Sequence, residues 1–315
     1  MPFPPSPAPV PQTPVPRIVL GCGNFGGVGS APEFFGQGQS AVEAFELMDA
    51  AWEAGIRHFD TADAYGGGRS ETAIGQWIAT RGVRPGLTTK TFHPMSAGAD
   101  HGLAPERVAR QLRSSLERLG TGHVELYLAH DVDAGVPLAD TFAAFEAAAA
   151  QGTVLAYGVS NFDAGQLRTA LAAGRPSAIQ NSCSLLTPED AGLLAVCAEH
   201  GVAYQAFGPL AGGWLTGKYR RGEPFPAGSR MTQRPEPYRR FGSPATFGAL
   251  ERLGAAARAR GISMAGLALA WLLADPRVTQ IVVGPGRPAH LDPVAEALDR
   301  PLTGAERAEI GRMVR

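Results

Sequence analysis

Along most of the chain, short apolar runs alternate with stretches whose apolar residues recur at helical spacing. The runs cover Arg17–Leu20, His58–Asp60, Leu87–Lys90, Val124–His130, Ala156–Ser160, Ala178–Asn181, Ala203–Gly208 and Thr279–Gly284. Amphipathic segments lie between them at Val42–Ala54, Glu71–Arg81, Pro105–Leu119, Leu138–Gln151, Gln166–Ala173, Pro188–His200 and Phe247–Arg260. In the third of these, Val108, Leu112, Leu116 and Leu119 form an apolar stripe, set against a polar face of Arg107, Arg110, Gln111, Ser114 and Arg118. A period that switches at every step is the mark of βα units and a parallel sheet. Eight such units predict an α/β fold, a (β/α)8 TIM barrel over residues 17–315, in preference to a doubly wound open sheet. Three long inserts, Gly26–Ser40, Phe92–Leu103 and Pro209–Ser243, all follow strand C-termini. Barrel enzymes build their sites on that face, so the asymmetry favours the closed barrel.

Composition narrows the classes. Hydrophobic residues make up 44% of 315, enough for a continuous core, and no run of about 18 apolar residues is present to span a bilayer. A net charge of −1 provides no basic face for a nucleic-acid backbone. Cys22, Cys183 and Cys197 form no C-x-x-C pair, which fits a reducing, cytoplasmic setting. The opening MPFPPSPAPVPQTPVP lacks the basic and apolar regions of a signal peptide. Its prolines predict an extended, loose tail over residues 1–16.

One motif points elsewhere. Gly21, Gly23 and Gly26 match G-x-G-x-x-G directly after a predicted strand. A dinucleotide fingerprint needs its third glycine inside an opening helix and an acidic residue about 20 positions on. Here Gly27, Gly29 and Pro32 follow, and Asp60 is much further away. The segment therefore reads as a glycine loop that admits ligands close to the backbone.

Four chemistry-bearing residues close four separate predicted strands: Asp60, Tyr65 just after it, Lys90 and His130. A free tyrosine has a pKa of about 10, too high to trade protons efficiently at neutral pH. A neighbouring ammonium is expected to lower it, and a carboxylate to compensate that ammonium when buried. A neutral histidine beside the same oxygen can donate to and polarise a carbonyl. No metal is required.

These residues carry a resemblance. The segment GIRHFDTADAYGGGRSETAIG, with LTTK, LYLAHD, AYGVSNF and AFGPLAGGWLTGKY, resembles the aldo-keto reductase family from about Arg17 to the C-terminus. The resemblance implies an NADPH-dependent reductase of aldehydes and ketones, with Tyr65 as general acid aided by Asp60, Lys90 and His130. It also implies that Ser160, Asn161 and Gln180 bind the nicotinamide carboxamide and that Phe207 stacks on the ring. Asn24 and Phe25 would line the first loop. Gly208, Pro209, Leu210, Gly212, Lys218 and Arg230 would hold the pyrophosphate. Gly284, Gly286 and Arg287 suit a ribose phosphate, because glycines and a guanidinium can receive an anion. Where many relatives carry an adenosine-holding Gln, Glu and Asn, this chain has His290, Pro293 and Val294. NADH therefore stays open beside NADPH, as does an alcohol dehydrogenase working oxidatively with NAD.

On the substrate side, Phe25, Phe34, Phe35, Phe92, His93 and Trp214 either form an apolar pocket or pin the inserts down. The inserts show no basic cluster, which argues against a phosphorylated substrate. A regulatory subunit resembling potassium-channel β subunits is the rival from another class. Metal-dependent hydrolysis would want paired histidines at a strand end, and the seven histidines are scattered.

Overall fold

Eight short strands pair in chain order and close on themselves: β1 (Ile18–Gly21), β2 (His58–Asp60), β3 (Gly86–Thr91), β4 (Val124–Ala129), β5 (Val154–Ser160), β6 (Ala178–Ser182), β7 (Ala203–Phe207) and β8 (Val278–Val283). All neighbours are parallel, and β1 pairs with β8 in the register Ile18 to Ile281. The computed structural model describes residues 17–188 and 191–314, so the expected loose tail lies outside the described residues. The expected (β/α)8 barrel is the fold observed, with strand ends displaced by a residue or two from those read in the sequence.

The helices are α1 (Ala41–Glu53), α2 (Arg69–Arg81), α3 (Pro105–Leu119), α4 (Leu138–Ala150), α5 (Ala164–Ala173), α6 (Ala191–His200), α7 (Arg230–Gln233), α8 (Pro244–Ala259), α9 (Met264–Leu273), α10 (Asp292–Asp299) and α11 (Gly304–Met313). Local chemistry fixes several ends. Ser40 and Glu43 form a reciprocal capping box at α1, and Asp163 and Gln166 do the same at α5. Left-handed Gly82 and Gly120 end α2 and α3.

Helix α9 is absent from the periodicity because it is apolar all round: Ala265 through Leu272 are all buried. A helix covered on every side shows no stripe. The expected polar face of α3 is corrected in part, since Arg107 and Gln111 are buried at 3% and 7% exposure. The glycine loop does not open a helix: Phe25 bridges to Gln39, and α1 starts only at Ala41. Tyr65 does not close a strand of its own. It opens a 3-10 turn, Tyr65–Gly68, after β2, so the four chemistry-bearing groups come from three strands.

Helices α2 and α3 approach closely at Gly75, where a Cβ would stand 2.2 Å from the Arg118 carbonyl oxygen. Helix propensity alone favours alanine over glycine by about 1 kcal/mol. The contact with rigid backbone outweighs it, and forced overpacking costs about 1–3 kcal/mol. Gly75→Ala is therefore expected to lower the melting temperature in a thermal unfolding experiment. An unchanged or raised melting point would contradict this packing.

Candidate active site

Lys90 stands on β3, wholly buried, with Nζ 2.5 Å from Asp60 Oδ1 and 2.8 Å from the Thr61 carbonyl. Tyr65 reaches the same place from the turn after β2: Lys90 Nζ is 5.1 Å from its ring centroid. The Tyr65 hydroxyl is 3.5 Å from His130 Nε2, and His130 follows the end of β4. The four residues singled out in the sequence thus meet at one point on the C-terminal rim.

Their protonation follows from the surroundings. Burial pulls the Lys90 ammonium down, but Asp60 and Tyr65 oppose it and leave the group above its ordinary value. Burial also pushes the Tyr65 phenol up, and this outweighs the Lys90 charge, which favours phenolate. The expected lowering by Lys90 is therefore present but does not win, and Tyr65 keeps its proton. His130 is held well below the usual histidine range by burial, then by Lys90 and His93, so it is neutral. Its Nδ1 is buried without a hydrogen-bond partner among the described residues. An unpaired N–H is the rarer and costlier orphan, so the ring proton belongs on Nε2, toward Tyr65.

A chain of side-chain amides holds Asp60. Gln180 Nε2 donates to Asp60 Oδ2 at 2.7 Å and to Gln205 Oε1 at 3.0 Å, and Gln205 Nε2 donates on to Gln280 Oε1 at 2.5 Å. Both hydrogens of Gln180 are committed, which leaves its oxygen end for a ligand. Gln205 and Gln280 carried no sequence signal, as each is one polar residue in an apolar strand. Ser160 donates to the Gln180 carbonyl at 2.7 Å. Asn161 has φ of 62°, unusual for a non-glycine residue, and its Nδ2 donates to the His130 carbonyl at 2.9 Å.

After β7 the backbone turns through positive φ at Gly208, Ala211, Gly212 and Gly213, with φ of 64°, 48°, 63° and 94°. Half-exposed Phe207 precedes this turn, followed by buried Pro209 and half-buried Leu210. Lys218 folds back over it, since a Cβ on Gly213 would lie 2.6 Å from Lys218 Nζ. Arg230 hydrogen-bonds Asn24 Oδ1 across the cleft. Burial and then Arg230 push the Lys218 ammonium down, and no carboxylate compensates either cation. Uncompensated cations beside a turned glycine-rich backbone fit a phosphate linkage. At the end of β8, Gly284, Gly286 and Arg287 are exposed. The His290 ring accepts from Gly286 N and faces Arg287 Nε, both at 3.1 Å, while Gln39 Nε2 donates to the Gly286 carbonyl at 3.1 Å.

Of the expected pocket aromatics, Phe92 and His93 flank the centre, and the His93 and His130 rings are 4.7 Å apart. Phe25 is buried beneath the first insert. Trp214 is fully buried among Tyr219, Phe241 and Phe247, the arrangement of a residue that pins its insert down.

Two buried residues were missed by sequence reasoning. Asp63 Oδ2 accepts from Thr91 Oγ1 at 2.7 Å, and that hydroxyl accepts from Arg107 Nη1 at 2.8 Å. Arg107 also donates to the carbonyls of Gly102 and His93, at 3.0 and 2.8 Å, and so holds the second insert in place. The helical pattern put Arg107 on a solvent face, which concealed this.

The closed (β/α)8 barrel thus carries a phenol, an ammonium, a carboxylate and an imidazole together at its C-terminal rim. The family model described as "Aldo/keto reductase family" matches residues 17–315. An uncharacterized oxidoreductase, YrpG, of Bacillus subtilis is 32% identical over 284 residues, covering 84% of this chain and 85% of that protein. A probable voltage-gated potassium channel subunit beta of Oryza sativa is 29% identical and covers 84% of each. The fold of a glycerol dehydrogenase from Gluconobacter oxydans superposes with a TM-score of 0.80 at 24% identity, over 96% of this chain and 92% of that one. The chain belongs to the aldo/keto reductase family and is an NAD(P)H-dependent oxidoreductase acting on carbonyl or alcohol groups. Among the described residues, no helix is long and apolar enough to cross a membrane.

Burial pushes the Asp63 carboxyl up to about 7. A raised carboxyl keeps its proton in the folded state while the unfolded chain has lost it. Its contribution is therefore full below the ordinary aspartate value and is lost as pH rises through about 7. Asp63→Asn is expected to flatten the decline in urea-unfolding stability between mildly acidic and neutral pH. An unchanged slope would remove Asp63 from the account.

Proposed function

We propose that the protein reduces an aldehyde or ketone to the alcohol, with NADPH as the preferred cofactor and Tyr65 as general acid. When bound, the reduced nicotinamide supplies the hydride to the carbonyl carbon. The observation that carries the reading is the convergence of Tyr65, Lys90, Asp60 and His130, with the Tyr65 hydroxyl 3.5 Å from His130 Nε2. His130 Nε2–H and the Tyr65 hydroxyl hold the substrate oxygen between them. As negative charge develops on that oxygen, the Tyr65 proton moves to it, and Lys90 stabilises the phenolate left behind. Asp60 keeps Lys90 charged and in place.

The resting protonation state supports the reductive direction, because Tyr65 already bears the proton that the alkoxide needs. Ser160, Asn161 and Gln180 would hold the carboxamide, with Phe207 against the ring. Asn24, Lys218, Arg230 and the Gly208–Gly212 backbone would take the pyrophosphate. Arg287, exposed and free of any carboxylate among its contacts, supports the choice of a 2′-phosphate. The similarity to a channel β subunit supports a second reading, a cofactor sensor without turnover.

Tyr65→Phe is expected to bind NADPH within about twofold of the wild type in a fluorescence titration, and more tightly than NADH. Its kcat for carbonyl reduction should fall by about 10²–10⁴, the usual share of a positioned acid. Undiminished turnover would refute the assigned acid. Cofactor binding without turnover in the wild type would favour the sensor.

A further inference from the structure

The third insert carries one more cation toward the mouth. Arg234 follows α7, and its Nη1 donates to the Val28 carbonyl at 3.3 Å. Its guanidinium lies 5.6 Å from the Phe34 ring centroid, a cation–π contact that fixes its plane. A Cβ on Gly29 would come within 3.1 Å of that Nη1. Gly29 is itself part of the wall around the acid. Its carbonyl accepts from Gly66 N at 3.3 Å, immediately after Tyr65, and its N–H donates to the Gly23 carbonyl at 2.7 Å. A Cβ on Gly23 would touch the Tyr65 ring at 3.5 Å.

The opposite side of the mouth feels the same charge. Burial disfavours protonation of His93; the Asp131 carboxylate opposes it, Arg107 and then Arg234 add to it, and the His93 ring packs on His130. Arg234 is thus held against the first insert at Val28 and Phe34, and no carboxylate is among these contacts. Arg230 bonds Asn24 instead, and the Arg234 charge is close enough to disfavour its own. Against the expectation of no basic cluster, the third insert carries Lys218, Arg220, Arg221, Arg230, Arg234, Arg239 and Arg240, and folding sets Arg234 against the first insert.

We propose that Arg234 determines specificity for a carbonyl substrate bearing an anionic group, a carboxylate or a phosphate monoester, received beside Phe34 at the mouth over Tyr65. The inference rests on the carbonyl-reductase reading and names the substrate class for that site. A guanidinium presents paired N–H donors in a plane that matches either anion, and one already oriented loses little freedom on binding. Phe34 provides the apolar shelf for the body of the substrate.

The test compares wild type, Arg234→Gln and Arg234→Lys on matched aldehydes: 4-carboxybenzaldehyde against 4-methylbenzaldehyde, and glycolaldehyde phosphate against glycolaldehyde. Wild type should prefer the charged member of at least one pair, and which pair responds separates carboxylate from phosphate. In Arg234→Gln the charged-to-neutral ratio of kcat/KM should fall about 10- to 100-fold, chiefly through KM, the range for charged hydrogen bonds. Arg234→Lys should fall between the two, because it keeps the charge and loses the fork. The dissociation constant for NADPH is measured alongside. A rise in that constant with an unmoved substrate ratio would make Arg234 a third cofactor clamp and overturn the proposal. No preference by wild type in either pair would also overturn it. Calorimetric titration of terephthalate into wild type and Arg234→Gln gives a readout independent of turnover. If wild type reduces no carbonyl, the enzymatic reading fails, while loss of terephthalate binding in the variant would still report an anion site.

Discussion

The ion pair between Lys90 and Asp60, closed to 2.5 Å inside the barrel, is the constraint on which the site depends. Lys90 has no exposed side-chain surface and Asp60 only 4%, so neither charge is tolerable alone. Removing one partner of such a pair typically costs about 3–5 kcal/mol, because the other is left buried and uncompensated. The remaining neighbours follow from this demand. Gln180 saturates the second carboxylate oxygen and is itself held by Gln205 and Gln280, so the polar chain crosses the barrel interior without a broken link.

Charge is divided sharply around that centre. Behind the rim, cations and carboxylates are matched: Lys90 with Asp60 and Arg118 with Glu71. On the mouth side, Lys218, Arg230 and Arg234 contact carbonyls, amides and aromatic rings but no carboxylate. Matched charge builds a rigid scaffold, and unmatched charge waits for an anion. The Tyr65 phenol stands between the two, protonated because burial exceeds the pull of the ammonium.

The alternation of period made the barrel legible, since each strand is a short apolar run and most helices show a stripe. Helix α9 escaped because total burial erases periodicity. The four central residues were legible because their types make sense only together and because strand ends converge in a barrel. Arg107 was not, since a buried arginine at helical spacing is indistinguishable from a solvated one until its carbonyl partners are known. Trp214 was ambiguous for the converse reason: an aromatic ring on an insert either meets substrate or anchors the insert, and only packing decides. Arg234 was invisible because its neighbours Val28 and Phe34 are far away in sequence.

The central claim is that Asp60 and Lys90 act as one unit upon Tyr65. A double-mutant cycle on kcat, with Asp60→Asn, Lys90→Met and the double variant all saturated with NADPH, tests it most directly. The account predicts that each single substitution lowers kcat by about 100-fold or more and that the double variant is no worse than Lys90→Met alone. Losses that multiply in the double variant would show two independent contributions and contradict the account.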